Sequence, residues 1–82
     1  MTNYETKALD VLLAHEKTTA PFGAPVQAVG TALGLPTAEA RMFVEGMVRN
    51  GLVKIGMEAD NFQETGHTAL SPTWWEKGPK AE

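Results

Sequence analysis

Arg41, Glu45 and Arg49 stand four residues apart in the run RMFVEGMVR. On a helix this spacing sets three charged side chains along one side. A guanidinium placed there could hold a guanine edge through two hydrogen bonds, worth about 1–3 kcal/mol of discrimination. A second one, nearly two turns on, could meet a backbone phosphate. The same trio can also form two exposed i,i+4 pairs of about 0.2–0.5 kcal/mol each, with no ligand at all. Residue type and spacing leave both readings open.

Other chemistry is sparse. His15 and His67 are the only imidazoles, there is no cysteine, and no spacing of ligand types suggests a metal site. Ser71 and His67 form no recognisable catalytic pair, and Ser71 reads better as a helix cap. No glycine-rich loop is present to cradle a phosphate. We therefore expect no catalytic residue, no cofactor and no metal, and the chain is not expected to be an enzyme. The absence of cysteine suits a reducing cytoplasm. The acidic N-terminus MTNYETKALD does not read as a secretory signal, and no run is apolar enough to span a bilayer, so no membrane role is expected.

The elements that must position the charged trio can be traced by periodicity. A helix is predicted from about Tyr4 to His15, capped by Thr2 or Asn3, with Glu5 favourable in its first turn. Tyr4, Ala8, Val11, Leu12 and His15 recur at helical spacing. Leu9 and Leu13 widen the apolar arc, which suggests cover on a second side, by the core and by a partner. The next helix is APVQAVGTALG, with Pro25 in its first turn, Gly30 reserved for close packing and Gly34 as a left-handed stop. The third runs over 38–50, with Thr37 as its cap. Ala40, Phe43, Val44, Met47 and Val48 make its inner stripe, and Asn50-Gly51 stops it. Turning that stripe inward leaves Ala38, Met42, Glu45 and Arg49 outside, with Arg41 on the flank. LVKIGM reads as a strand, EADN as a turn and FQETGHTAL as the returning strand, with Gly66 as a bulge. SPTWWEKG reads as one or two helical turns, and residues 79–82 as a frayed tail.

At 82 residues the chain is read as one domain. Its class is α+β, mainly α: three helices, a β-hairpin and a short C-terminal helical turn. That order is a winged helix-turn-helix, and GLPT has the length and glycine of the corner between its second and third helices. ALGLPTAEARMFVEGMVRNGLVKI, with ALSP after the hairpin, resembles bacterial winged helix-turn-helix transcription regulators of the MarR and IclR kind. The resemblance covers about residues 4 to 78 and rests on core positions and turns. It implies that residues 37–50 correspond to the recognition helix and 52–70 to the wing. It further implies a cytoplasmic, homodimeric regulator of transcription bound to double-stranded DNA, with two third helices on successive major grooves about 34 Å apart. The expected DNA-contacting residues are Thr37, Ala38, Arg41, Met42, Glu45, Arg49 and Lys54.

Two features point elsewhere. Net charge is −3, and the loop from Gly56 to His67 carries Glu58, Asp60 and Glu64 without a Lys or Arg. Wings of the resembling family usually bring a base to the groove, and an acidic tip is repelled by phosphates. Trp74 and Trp75 are adjacent, so both cannot point into one core. One is expected to be buried and the other to lie partly exposed, as at interface hot spots. Leu9, Leu13, Trp74 and Trp75 are thus the candidate partner-binding residues. The alternative function is a protein–protein adaptor or inhibitor that meets a basic protein partner through the acidic wing and an exposed tryptophan.

Overall fold

The computed structural model of the chain describes residues 1–57 and 72–81. They form three α-helices and a two-stranded antiparallel hairpin, an α+β arrangement that is mainly helical: α1 (Asn3–Ala14), α2 (Ala24–Leu33), α3 (Thr37–Arg49), β1 (Val53–Met57) and β2 (Thr73–Lys77).

Local sequence sets the helix ends. The Thr2 hydroxyl accepts from the Glu5 amide at 3.1 Å, and the Glu5 carboxylate accepts from the Thr2 amide at 2.8 Å. Each thereby satisfies a backbone donor that the first turn of α1 leaves open. α2 carries Pro25 in its first turn and closes on Gly34 at φ 71°. Gly51 does the same after α3 at φ 75°, a conformation that a side chain disfavours. Thr37 is not the cap expected from sequence. Pro36 occupies the N-cap in extended geometry, Thr37 is the first helical residue, and no side chain caps the end. Proline's fixed φ of −59° fits helix and extended chain alike, and the ψ of 152° is what keeps Pro36 outside the helix, one residue earlier than a threonine cap would.

The hairpin departs further from expectation. Residues 73–77, predicted as helical turns, are β2, and they pair with β1 in the register Lys54 opposite Glu76, Ile55 opposite Trp75 and Gly56 opposite Trp74. Threonine and tryptophan favour a pleated, half-buried surface, and here the pairing puts Trp75 on the core side. β1 lies within the range 52–70 expected for the wing, and the strand that pairs with it, β2, lies beyond residue 70. The EADN turn, the returning strand FQETGHTAL with its Gly66 bulge, Ser71 and His67 lie outside the described residues. β2 has a second neighbour. The Thr18 amide donates to the Thr73 carbonyl at 2.9 Å, and the Thr18 carbonyl accepts from the Thr73 amide at 2.8 Å. The same carbonyl accepts from the buried Thr73 hydroxyl at 2.8 Å.

The core gathers Ala8, Leu9 and Leu12 of α1, Val26, Val29 and Leu33 of α2, and Ala40, Val44 and Met47 of α3 over Val53 and Trp75 of the hairpin. Each fully buried Leu, Val or Met in it contributes about 1.5–3 kcal/mol of apolar transfer before ordering entropy is counted. α1 packs on α2 along one side and on β2 along another. That double cover accounts for Leu9 in the wide apolar arc but not for Leu13. Leu9 is 4% exposed and belongs to the core, so it is withdrawn from the partner-binding set, whereas Leu13 is 42% exposed. Tyr4, which recurs with Ala8, Val11 and Leu12 at helical spacing, is nevertheless 56% exposed. After β2 the chain folds back. Gly78 donates to the Leu52 carbonyl at 3.0 Å and Lys80 to the Gly51 carbonyl at 2.8 Å, while Ala81 packs against the core.

Candidate functional site

α3 is held by Ala40, Val44 and Met47, which are buried, and by Phe43 and Val48, which are half-buried against the same core. Its opposite side therefore faces outward. Thr37, Ala38, Arg41, Met42 and Arg49 are exposed there, and Glu45 is half-buried. Lys54 is exposed on the outer side of β1. The candidate DNA-contacting residues thus lie at the surface of one helix and the strand that comes after it.

Their charges are partly engaged. Arg41 Nε lies 3.6 Å from Glu45 Oε2, with side chains 57% and 40% exposed. The same guanidinium sits 5.3 Å from the centroid of the Phe22 ring, just ahead of α2. An exposed i,i+4 pair contributes about 0.3–0.5 kcal/mol, and an exposed cation–π contact about 0.5–1 kcal/mol. A bidentate guanine contact is of the same order or larger, so these restraints orient Arg41 without sequestering it. Lys54 pairs with Glu76 at 3.6 Å. Arg49 has no carboxylate in ion-pair range among the described residues.

The outer side of α3 is also apolar in part. Met42 is 69% exposed. It borders an open depression of about 440 Å³ lined by Tyr4, Leu35, Glu39, Met42 and Phe43. Neither Tyr4 nor Leu35 was expected at a site: Tyr4 was placed by spacing among the apolar positions of α1, and Leu35 falls in the link between α2 and α3. Phe22 was missed as well: it lies in a loop, and its role comes from the approach of α3.

The two tryptophans divide as their adjacency requires. Trp75 is buried, and its ring meets that of Phe22 edge to face at 5.6 Å and 83°. Its indole N–H finds no acceptor among the described residues. Trp74 is half-buried on the outer side of the hairpin, where its N–H donates to Glu76 Oε2 at 2.6 Å and Lys17 Nζ lies 5.0 Å from the ring centroid. Its ring crosses Gly56, where an added Cβ would stand 2.5 Å from the indole. One tryptophan is thus buried and the other partly exposed, as the sequence led us to expect, with the Trp74 ring held by Glu76 and Lys17. Glu58, Asp60 and Glu64 of the acidic loop lie outside the described residues.

Among the described residues, no cluster of three or more His, Asp or Glu side chains is placed to hold a metal ion. No helix among them is long and apolar enough to cross a membrane. Compared with protein-family models, with curated proteins and with solved structures, the chain gives no match.

Proposed function

We propose that this chain is a winged-helix DNA-binding module, a regulator of transcription that acts in the cytoplasm as a homodimer, with α3 as its reading helix. One observation carries the reading: Ala40, Val44 and Met47 are turned into the core, which leaves Arg41 and Arg49 on the open side of α3. The order of elements supports it, since a short link joins α2 to α3 and the hairpin comes directly after α3. In this arrangement the N-terminal half of α3 enters the major groove. Arg41 exchanges Glu45 for a guanine edge, and Ala38 and Met42 meet thymine methyl groups. Thr37 and Arg49 contact phosphates, as does Lys54 once it releases Glu76. The test is titration of random and selected duplexes at two salt concentrations, with Arg41→Ala beside the wild type. The reading predicts salt-dependent binding and a loss of sequence preference in the variant. A chain that binds no duplex at low salt refutes it.

A second reading is favoured by the depression beside Tyr4 and Met42, an apolar surface suited to a protein contact. There a second copy of the chain docks along α1 and α3 and covers part of the reading helix. Both readings describe a dimer, so sedimentation is paired with duplex binding to separate them. If Tyr4→Glu abolishes self-association and frees duplex binding, the second reading holds; if Tyr4→Glu stays dimeric, or leaves duplex binding as in the wild type, it falls.

A further inference from the structure

Four bases, Arg49, Lys54, Lys77 and Lys80, lie among residues 49–57 and 72–81, where the one acid is Glu76; Glu58, Asp60, Glu64 and Glu82 lie outside the described residues. All four bases are exposed, and Glu76 is committed to Lys54 and to the Trp74 indole. Arg49, Lys77 and Lys80 have no carboxylate in ion-pair range among the described residues. Their placement is fixed by backbone contacts. Lys77 closes β2 opposite Val53. The amides of Gly78 and Lys80 donate to the carbonyls of Leu52 and Gly51 at 3.0 and 2.8 Å, which seats the tail on the turn that ends α3. The Lys80 stem runs across Gly51, where an added Cβ would lie 2.9 Å from its Cγ. Arg49 stands two positions before that glycine, with its guanidinium turned back along α3 to 3.8 Å from where a Cβ on Gly46 would lie.

One base near a helix C-terminus is commonly accounted for by the helix dipole. Four bases drawn from α3, β1, β2 and the tail, three of them without an ion-pair partner among the described residues, exceed what that dipole uses. We propose that Arg49, Lys77 and Lys80 form a phosphate grip, in which the folded-back tail fastens the module to the backbone of a nucleic-acid duplex. This rests on the DNA reading above and extends it, because it gives the main backbone contact to the end of β2 and the tail. It also reconciles a net charge of −3 with duplex binding, since a local field, not the total charge, attracts the phosphates.

Each phosphate neutralised adds about 0.9 to the slope of log affinity against log salt. Replacing two contacts should therefore make that slope shallower by about 1.8, and weaken binding roughly 60-fold near 0.1 M salt if the contacts count for nothing at 1 M. Phosphate contacts carry no sequence information, so the ratio between preferred and random duplexes should not change. The experiment measures duplex binding across a salt series for the wild type, Lys77→Ala/Lys80→Ala and Lys77→Gln/Lys80→Gln, with folding checked by circular dichroism. The glutamine pair keeps most of each stem and guards against loss of the fold. A shallower slope with an unchanged preference supports the grip. A wild type that binds duplex while both double variants keep its slope overturns the grip and leaves the DNA reading standing. A wild type that binds no duplex removes both. If poly-glutamate displaces the duplex charge for charge and the variants weaken both alike, the surface takes acidic polypeptide, and the phosphate assignment is overturned.

Discussion

Gly30 of α2 and Gly46 of α3 are both helical glycines, yet the same replacement by alanine should move stability in opposite directions. In a helix interior, alanine is favoured over glycine by about 1 kcal/mol. At Gly46 nothing opposes that gain, because an added Cβ would meet only the Arg49 guanidinium, at 3.8 Å. Gly46→Ala should therefore stabilise the chain by about 0.5–1 kcal/mol. At Gly30 the Cβ would lie 2.9 Å from the Leu35 carbonyl oxygen and 3.3 Å from Ala40 Cβ. The carbonyl is backbone, and its residue is pinned by the bond from the Leu35 amide to the Gly30 carbonyl at 2.9 Å, so relief requires α2 and α3 to separate. Overpacking of this kind costs about 1–3 kcal/mol, against the same helix gain of about 1 kcal/mol, so Gly30→Ala should lose up to about 2 kcal/mol. Urea titration followed by tryptophan fluorescence reads both variants, and an unchanged m-value shows that stability changed without a change in the surface exposed on unfolding. In a domain of this size, 1 kcal/mol corresponds to a Tm shift of about 4–8 °C. If Gly30→Ala is as stabilising as Gly46→Ala, the close approach of α2 to the turn and α3 is refuted. If Gly46→Ala is destabilising, the outer side of α3 is covered, and the case for a groove-facing helix weakens with it.

Three further substitutions test the frame that holds α3. Thr2→Ala removes one arm of the reciprocal cap on α1 and should cost about 1 kcal/mol, seen as faster hydrogen exchange at the Glu5 amide. Leu12→Ala empties a fully buried position at the centre of the core and should cost about 2–5 kcal/mol in chemical unfolding, a large part of the stability of a small domain. Thr73→Val keeps the branched shape but deletes the hydroxyl bond to the Thr18 carbonyl, which retains the Thr73 amide. The expected loss is about 0.5–1.5 kcal/mol, read by thermal unfolding.

The helices were legible in the sequence because their signals are local. The inner stripe of α3, Gly34 and Gly51 as stops, and the tight packing at Gly30 all come from spacing and backbone preference, and the observed ends differ by a residue or so. β1 was legible for the same reason. β2 was not. Ser71-Pro72 starts a helix as readily as it precedes a strand, and only pairing with β1 and burial of Trp75 decide between them. Leu9 was misassigned on similar grounds: the width of an apolar arc reports how many neighbours cover a helix, not whether they belong to another chain. Within the site, the exposure of Arg41 and Arg49 could be read from the helical wheel. The stacking of Arg41 on Phe22, the cover over Trp74 and the seating of Lys80 on Gly51 depend on contacts between distant segments, and periodicity carries no trace of those.

The bond from Thr73 to Thr18 spans 55 positions. The helices rest on contacts between sequence neighbours, so they can begin to form before the C-terminal segment has docked. The hairpin cannot, because among the described residues β1 pairs only with 73–77, and Trp75 must reach Phe22, which precedes α2 and α3 in sequence. Closing so long a loop is an entropic toll met before any contact rewards it. A version halted ahead of residue 73 would keep three helical segments around an unfilled centre, with exposed apolar surface and an unpaired strand edge. For this protein, acquiring the native state is thus a single late event.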